Sequence, residues 1–487
     1  MSTMPLAPPL PPTVPTIVQG GMGVAVSGWR LAAAVARAGQ LGVVSGTALD
    51  TVLVRRLQGG DPGGAVQRAL RTFPDQDLVA SVLERFHLPE GRPTDRPYRR
   101  LPLPTERANR DADAVTMLGA YVEVALAKAG HAGAVGVNLL AKLQRPTLAT
   151  LYGSMLAGVD WVLMGAGIPQ AIPGALDRLA EHRAASIPLD VAGADRSAPR
   201  AALEFDPADH GADGRPALKR PAFVPIVASD ALATMLMKRA NGSIEGFVIE
   251  GPTAGGHNAP PRGPQRLDDD GQPIYGDRDV VRLEAIRALG VPFWLAGGAG
   301  TPEGVRDAQA LGANGVQVGT LFAYCDESGL RDDLKRTVID RVRNGDVRVR
   351  TDPRASPTGF PFKVAELPGT VADPDVREGR RRVCDLGYLR EAAHGPNGRI
   401  VFRCPAEPVE AYVAKGGKRE DTIGRACLCN GLTASVGMAQ RQKDGTTEAP
   451  LVTSGDALAD VARLLPEGRD RYAAADVIAF LTGPASA

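Results

Sequence analysis

Eight short runs of apolar residues recur along the first two thirds of the chain, and each run is continuously apolar rather than alternating. They occupy residues 16–18, 41–45, 134–138, 159–164, 222–228, 246–250, 291–296 and 315–318. Continuous apolar runs are typical of parallel strands that are covered by helices. The pattern therefore predicts eight buried strands.

Helical patterns lie between several of these runs. Residues 29–38 carry an apolar stripe at helical spacing, with Ser27 as the expected N-cap and Gly39 as the expected end. Thr301 and Pro302 predict the start of another helix. Strands that alternate with helices eight times predict an α/β protein with a closed (β/α)₈ TIM barrel, and an open doubly wound sheet is the alternative.

Three segments interrupt this rhythm, and the alternation ends near residue 350. Residues 46–133 form a partly helical excursion after the second strand, residues 186–221 are expected to be a polar surface loop, and residues 258–280 can cover a pocket. The predicted organisation has three parts: a proline-rich arm at 1–15, a barrel at 16–350 with the insertion at 46–133, and a C-terminal extension at 351–487 that holds four cysteines.

Composition narrows the class of protein. The 487 residues include 56 basic and 55 acidic side chains, a net charge of +1, which argues against nucleic acid or an anionic membrane as the main partner. We see no signal peptide and no apolar run long enough to span a bilayer. Five cysteines without an export signal favour a cytoplasmic protein. These features suit an enzyme that acts on a small molecule, and they leave open whether the chain forms a homo-oligomer.

Glycine-rich turns follow the seventh and eighth strands. They are Ala296-Gly-Gly-Ala-Gly300 and Gly319-Thr320. Barrels commonly bind phosphate at these two loops, because glycines let backbone N–H groups approach an anion. The turns therefore predict a phosphate site on Gly297, Gly298, Gly319 and Thr320. Ordinary tight turns are the simpler alternative.

Other strand ends carry further candidates. Gln19-Gly-Gly-Met-Gly23 offers close backbone approach and a soft edge to a flat heteroaromatic ring, and Asn138 offers an amide. His257, in Ala254-Gly-Gly-His257, could act as a general base because imidazole titrates near neutral pH. The alternative for residues 19–23 is an ordinary turn, for Asn138 a turn or helix cap, and for His257 a structural role.

From about residue 17 to residue 367, these motifs resemble the nitronate monooxygenase family, formerly called 2-nitropropane dioxygenases, which are FMN-dependent (β/α)₈ barrels. The most specific elements are Ala254-Gly-Gly-His257 and the downstream Gly315-Val-Gln-Val-Gly-Thr320. Ser356-Pro-Thr-Gly359 is similar to the segment that closes the barrel in that family.

The resemblance implies a cofactor site and a reaction. FMN phosphate would lie on Gly297, Gly298, Gly319 and Thr320, while the ring or ribityl chain would contact Gly20, Met22, Gly23, Asn138, Ser229 and Gly256. His257 would be the catalytic base that takes the α-proton of a nitroalkane, or that orients an anionic nitronate. Oxidation with O₂ by this monooxygenase chemistry would give a carbonyl compound and nitrite.

The chain departs from the family pattern around this motif. Glu250 and Thr253 stand where family members often have Gln and Glu, and residues 258–261 replace the more usual Arg-Gly. A glutamate beside a flavin either adds a negative charge or has a shifted pKa. These departures bear on the substrate more than on the cofactor.

The cysteines of the extension allow a metal site. Cys384, Cys404, Cys427 and Cys429 could hold zinc or an iron–sulfur cluster, although no CxxC or iron–sulfur spacing occurs among them. Unligated cysteines in a core are the alternative.

Three other functions remain open at this level. The first is an FMN-dependent enoyl-thioester reductase that acts on acyl-carrier-protein or CoA thioesters with NAD(P)H. The second is a flavin-free barrel lyase or isomerase that binds a phosphorylated substrate. The third is a non-catalytic barrel that binds a partner through its extension.

Overall fold

A computed structural model describes residues 14–103, 105, 109–195 and 201–483. Nearly all of the predicted proline-rich arm, residues 1–13, lies outside the described residues. Eight parallel strands form the central sheet: β1 (Ile17–Gln19), β2 (Gly42–Ser45), β3 (Val135–Leu140), β4 (Trp161–Gly165), β5 (Ala222–Val227), β6 (Phe247–Glu250), β7 (Phe293–Ala296) and β8 (Gly315–Val318). Each strand lies within two residues of the bounds predicted for it.

The sheet closes into a barrel. Its strands run in the order β1-β8-β7-β6-β5-β4-β3-β2, so β1 and β2 are the two ends of the sheet. These two strands also meet, because Val18 bridges Leu41 in parallel and the Gln19 N–H donates to the Leu41 carbonyl at 3.0 Å. The predicted (β/α)₈ TIM barrel is therefore confirmed.

Side chains fill the inside of the barrel. Trp161 and Trp294 meet edge to face there, with ring centroids 5.8 Å apart, among buried aliphatic residues such as Val43 and Val248. The indole N–H of Trp294 donates to the Pro15 carbonyl at 2.7 Å, next to the start of β1. Because the interior is packed, a ligand can enter only above the strand ends.

Helices surround the barrel and continue into the extension. The α-helices are Trp29–Arg37, Leu49–Gln58, Ala65–Leu70, Gln76–Phe86, Arg110–Lys128, Gln144–Leu156, Ile172–Ala180, Asp230–Arg239, Leu283–Arg287, Pro302–Ala310, Thr320–Ala323, Asp332–Asn344, Pro374–Gly379, Val409–Ala414, Leu428–Ala434 and Ala474–Thr482. The 3₁₀ helices are Pro207–His210, Asp277–Asp279, Arg419–Thr422 and Asp456–Leu464. None of the helices in the described part of the chain has the length and apolar character to cross a membrane.

One predicted helix cap is confirmed and one is wrong. Thr301 accepts the Gly304 N–H at 3.0 Å, as expected. Ser27 does not cap Trp29–Arg37, whose N-cap is Gly28. The Ser27 hydroxyl is buried instead beneath the loop after β1, where it donates to the Gly20 carbonyl at 2.9 Å.

The described residues of the segment predicted as a surface loop, 186–195 and 201–221, contain strands that its polar composition does not indicate. Strands Ala185–Pro188 and Ala202–Phe205 form an antiparallel pair in which buried and exposed residues alternate. A two-residue strand, Val191–Ala192, pairs with Glu391–His394, which itself pairs with Ile400–Arg403. In the antiparallel pair, every second residue of each strand faces solvent, which allows polar residues at those positions.

The C-terminal extension packs against the end of the barrel where the parallel strands finish. Strand Phe362–Ala365 pairs on one side with Val349–Asp352 and on the other with Gly256–His257, the loop that follows β6. Helix Ala474–Thr482 packs against Trp29–Arg37 on the outside of the barrel. The extension therefore covers the loops that carry the predicted site.

Candidate active site

A cavity lies at the carboxyl ends of the strands and contains most of the predicted site residues. Its walls include Gly20, Met22, Gly23, Asn138, Gly256, His257, Gly297, Gly298, Gly319 and Thr320. These residues come from β3 and from the loops after β1, β6, β7 and β8, so the barrel brings together positions that are far apart in the chain.

Ser229 is the predicted cofactor contact that the structure does not bring to this cavity. Its hydroxyl caps helix Asp230–Arg239 by accepting the Leu232 N–H at 3.3 Å. A serine directly before a helix commonly has this role.

The turn after β7 takes a backbone conformation that favours glycine. Gly297 has φ +91° and Gly298 has φ +74°. A Cβ atom on Gly297 would lie 2.8 Å from Oγ1 of Thr253 and 2.9 Å from the Ala254 nitrogen, so this turn packs directly on the loop after β6. The positive φ angles and the close packing both favour glycine. Because glycine has no side chain, the backbone N–H groups of this turn stay uncovered.

The turn after β8 lies beside the loop after β1. The Gly20 N–H donates to the Val318 carbonyl at 2.8 Å, and a Cβ atom on Gly319 would lie 3.3 Å from Sδ of Met22. Since β7 and β8 are neighbours in the sheet, the two glycine turns stand side by side in one wall of the cavity. Oγ1 of Thr320 accepts the Gly455 N–H at 2.9 Å, which leaves the hydroxyl hydrogen available for an anion.

Two buried acceptors in the cavity wall indicate that a polar ligand fits there. Oδ1 of Asn138 and Oε1 of Gln317 are buried without a hydrogen-bond partner. Nδ2 of Asn138 donates to the Gly21 carbonyl at 3.1 Å, which holds the side chain in place. Buried unpaired acceptors are rare and costly, so these oxygens suit donors of a ligand such as ring N–H or ribityl O–H groups. The backbone donors and these acceptors together fit FMN.

His257 is held by the extension. Its Nε2 atom lies 2.7 Å from Oγ of Ser356, which lies 2.8 Å from Oγ1 of Thr358. Its ring packs against Phe362 with centroids 4.8 Å apart. Burial lowers the pKa of His257 to about 4, so the imidazole is neutral at pH 7. In the tautomer whose Nε2–H donates to Ser356, Nδ1 is the nitrogen that can accept a proton.

Glu250, at the end of β6, also lines the cavity. Burial raises its pKa to about 8, so the carboxyl group is mostly protonated at pH 7. A protonated carboxyl presents one donor and one acceptor, as a glutamine amide does. Glu250 stands where family members often have Gln, and we expected it either to add a negative charge or to have a shifted pKa. The structure gives the second outcome, a raised pKa.

Several residues of the wall were not among the sequence-based candidates. Gln317 is a polar residue inside an apolar strand, and that pattern was a usable signal. The extension contributes Tyr388, Leu389, Cys429, Leu432, Thr453, Ser454 and Gly455. No local pattern marks these residues, because their contact with the barrel is long-range.

The four cysteines of the extension line a second, smaller cavity next to the first. Within the described ranges, no group of three or more His, Cys, Asp or Glu side chains is placed to hold a metal ion. The predicted zinc or iron–sulfur site therefore has no support in the described part of the chain. Cys325, the fifth cysteine, is buried just after helix Thr320–Ala323.

Part of the chain is similar to known proteins of one family. Residues 217–351 match the family model described as nitronate monooxygenase, and this range includes His257 and both glycine turns. A probable nitronate monooxygenase of Bacillus subtilis is 33% identical over 124 residues, which are 26% of this chain and 33% of that protein. A nitronate monooxygenase of Pseudomonas aeruginosa is 39% identical over 146 residues, which are 27% of this chain and 36% of that protein. The chain thus spans about a third of the length of these relatives.

Solved structures also align with nearly the whole chain, among them a FabK and a nitroalkane oxidase. FabK from Thermotoga maritima has a TM-score of 0.48 and 17% identity, with 96% of this chain and 91% of that chain covered. The nitroalkane oxidase from Streptomyces ansochromogenes has a TM-score of 0.42 and 16% identity, with 96% and 94% covered.

Proposed function

We propose that the chain is an FMN-dependent oxidoreductase of the nitronate monooxygenase family, whose family model matches residues 217–351. Its proposed substrates are alkyl nitronates or nitroalkanes, which O₂ oxidises to a carbonyl compound and nitrite. The observation that supports this most is the convergence of both glycine turns and His257 on one cavity. Bound FMN would supply the redox chemistry.

Each group of residues has a distinct task in this proposal. The N–H groups of Gly298 and Gly319 and the Thr320 hydroxyl hold the phosphate. Asn138 and Gln317 accept hydrogen bonds from the ring or the ribityl chain through the two oxygens that lack a partner. The extension covers the loops that carry the site, which keeps water away from the reacting atoms.

His257 moves the proton. Its neutral imidazole can take the α-proton of a nitroalkane at Nδ1, while Ser356 keeps Nε2 engaged. A preformed nitronate has already lost this proton, so His257 only orients it. The histidine therefore matters more for nitroalkanes than for nitronates.

The purified full-length protein tests this function directly. We expect a flavin spectrum, together with O₂ consumption and nitrite release on alkyl nitronates in the absence of NAD(P)H. NAD(P)H oxidation that depends on an enoyl thioester would instead identify a reductase. Turnover of a phosphorylated substrate by protein without flavin would identify a lyase or isomerase.

We predict that activity on nitronates falls as the pH rises through about 8 and that Glu250→Gln removes this fall. Above its pKa of about 8, Glu250 becomes an anion in the same cavity as an anionic substrate, whereas glutamine stays neutral. The measurement is kcat/KM between about pH 6 and pH 10. Glu303→Gln, on an outer helix, is the matched control and should keep the fall. If kcat/KM of Glu250→Gln falls with pH as in the wild type, another titrating group causes the fall.

Ser356→Ala should lower turnover of neutral nitroalkanes by about tenfold and leave turnover of preformed nitronates close to wild type. The reason is that Ser356 positions the imidazole without touching the substrate. Ser435→Ala is the control, since Ser435 is a buried serine whose hydroxyl bonds to the backbone of Gly431 and Leu451. Equal losses on both substrates would show that Ser356 has only a structural role.

A further inference from the structure

Glu250 lies between two cavities. One is the active-site cavity, and the other, which we call the outer cavity, has a volume of about 30 Å³. Glu250 is the residue that the walls of these two cavities share. The outer cavity is otherwise lined by the residue directly after β5 and by the long loop after β6, at positions 228, 251, 252, 259, 260, 262, 275 and 279. The end of β6 therefore separates the proposed flavin site from a second space.

The outer cavity is polar and reaches the surface. The Tyr275 hydroxyl donates to the Ala259 carbonyl at 3.0 Å, and the carboxylate of Asp279 accepts the Arg262 N–H at 2.8 Å. Arg262 is exposed to solvent, while Glu250 and Asp279 are half-buried. A cavity of this size holds one or two water molecules when polar groups line it. We therefore expect water there, in contact both with Glu250 and with the solvent outside.

The carboxyl group of Glu250 has no fixed partner on either side. No hydrogen bond or ion pair involves it in the described part of the chain, and burial is the one cause of its raised pKa. By contrast, the carboxylate of Asp279 accepts the backbone N–H groups of Arg262 and Gly276. A protonated carboxyl group both donates and accepts. Glu250 is therefore able to receive a proton from one cavity and to release one into the other.

Oxidation of a neutral nitroalkane requires a route for a proton. Conversion of the nitroalkane to a carbonyl compound and nitrite releases one proton in each turnover, whereas a nitronate has none to release. In the proposed function Nδ1 of His257 collects this proton, while Ser356 engages Nε2 and Phe362 packs against the ring. The proton must therefore leave through the active-site cavity before the next nitroalkane reacts.

The wall of the active-site cavity offers few groups that exchange protons near neutral pH. Apart from His257, the titratable side chains that line it in the described chain are Glu250, Tyr388 and Cys429. Burial raises the pKa of Tyr388 and the pKa of Cys429 well above their ordinary values, so both keep their protons. The pKa of Glu250, about 8, lies close to neutral pH, which suits proton transfer.

We propose that Glu250 relays the α-proton of neutral nitroalkanes from His257 to water in the outer cavity. The N–H bond at Nδ1 of His257 breaks as an O–H bond forms on one oxygen of Glu250, directly or across one water. The O–H bond on the other oxygen of Glu250 breaks as that proton passes to the water of the outer cavity. Both side chains end neutral, and no electron moves. This inference rests on the proposed function and deepens it.

Glu250→Gln in the flavin-loaded full-length protein tests the relay, because glutamine keeps the size of the side chain and does not titrate. With a neutral nitroalkane at about pH 7, kcat should fall at least about tenfold, while kcat/KM stays close to wild type because the proton leaves after its abstraction. Rapid-quench measurements should show a burst of about one nitrite per active site, followed by slow turnover. Turnover of a preformed nitronate should keep the wild-type rate.

Further measurements separate a relay from a structural role. High concentrations of imidazole or formate buffer should restore kcat of Glu250→Gln, because a small base then carries the proton. Tyr275→Phe removes a hydroxyl group from the outer cavity and should lower the same kcat without changing nitronate turnover. Glu303→Gln, on helix Pro302–Ala310, is the matched control and should behave like the wild type in every assay.

The outcomes that would overturn the relay are distinct from those that would overturn the proposed function. A wild-type kcat without a burst in Glu250→Gln would show that the proton leaves by another route. Equal losses on nitroalkanes and nitronates, or a loss that buffer does not restore, would leave Glu250 a role in positioning alone. If the flavin-loaded wild type oxidises no nitroalkane, the proposed function fails and the relay fails with it.

Discussion

Gly298→Glu and Gly319→Asp are expected to yield folded protein that purifies without FMN. Each substitution puts a carboxylate into the wall where the phosphate must sit, and like charges in contact cost several kcal/mol. Affinity for FMN should therefore fall more than about a hundredfold. The measurement is the flavin-to-protein ratio after purification, followed by titration of the protein with FMN.

Alanine variants separate charge from backbone strain. Gly298→Ala has the same unfavourable φ of +74°, but its Cβ atom would lie 3.4 Å from Oγ1 of Thr253 and carries no charge. Gly319 is not in the left-handed region, so Gly319→Ala adds only a contact with Met22. Both alanine variants should keep most of the flavin. If Gly298→Glu and Gly319→Asp purify with a full complement of FMN, the phosphate does not bind at these two turns.

His257→Ala is expected to lower kcat/KM for neutral nitroalkanes by about 10² to 10⁴, the usual range for a lost general base. Turnover of preformed nitronates should fall far less, because the substrate brings no proton that must be removed. The ratio of the two rates at one pH measures the effect and cancels differences in flavin content. The imidazole is neutral above its pKa of about 4, so the ratio should hold throughout the neutral range.

His257→Gln is the companion variant, since it keeps a polar side chain against Phe362 and lacks a base of suitable pKa. It should behave like His257→Ala on nitroalkanes. Equal losses on nitroalkanes and nitronates in either variant would remove His257 from proton abstraction and leave it a role in positioning.

The barrel and the strand-end motifs were predictable because both follow from local rules. A parallel strand buried on both faces must be apolar along its length, so residues 246–250 and 315–318 stood out in the sequence. Glycines directly after such strands mark turns that approach a ligand, and a histidine beside them is unusual. These rules predict from the sequence alone that Gly297, Gly319 and His257 lie on one rim of the barrel.

Other features depend on contacts that a local pattern does not contain. Ser27 and Ser229 both precede helices, yet Ser229 caps its helix while Ser27 is buried under the loop after β1. The pKa of Glu250 depends on how deeply the neighbouring chain buries it. Ser356, almost a hundred residues from His257 in the sequence, reaches its imidazole only because the extension folds back over the barrel.

The division of the chain at residue 350 stays a prediction. Strand Val349–Asp352 crosses that boundary and shares a sheet with Gly256–His257 through Phe362–Ala365. We propose that residues 351–487 fold as part of the active-site wall. The extension also supplies Tyr388 and Thr453 to the cavity, so its removal should disturb the site.

A crystal structure of the yellow protein tests the central claim most directly. The account predicts one FMN per chain, with its phosphate between the N–H groups of Gly298 and Gly319 and beside the Thr320 hydroxyl. The flavin ring should lie against the loop after β1, with the imidazole of His257 facing it. A phosphate bound away from both glycine turns, or a ring with His257 on the opposite rim of the barrel, would contradict the account.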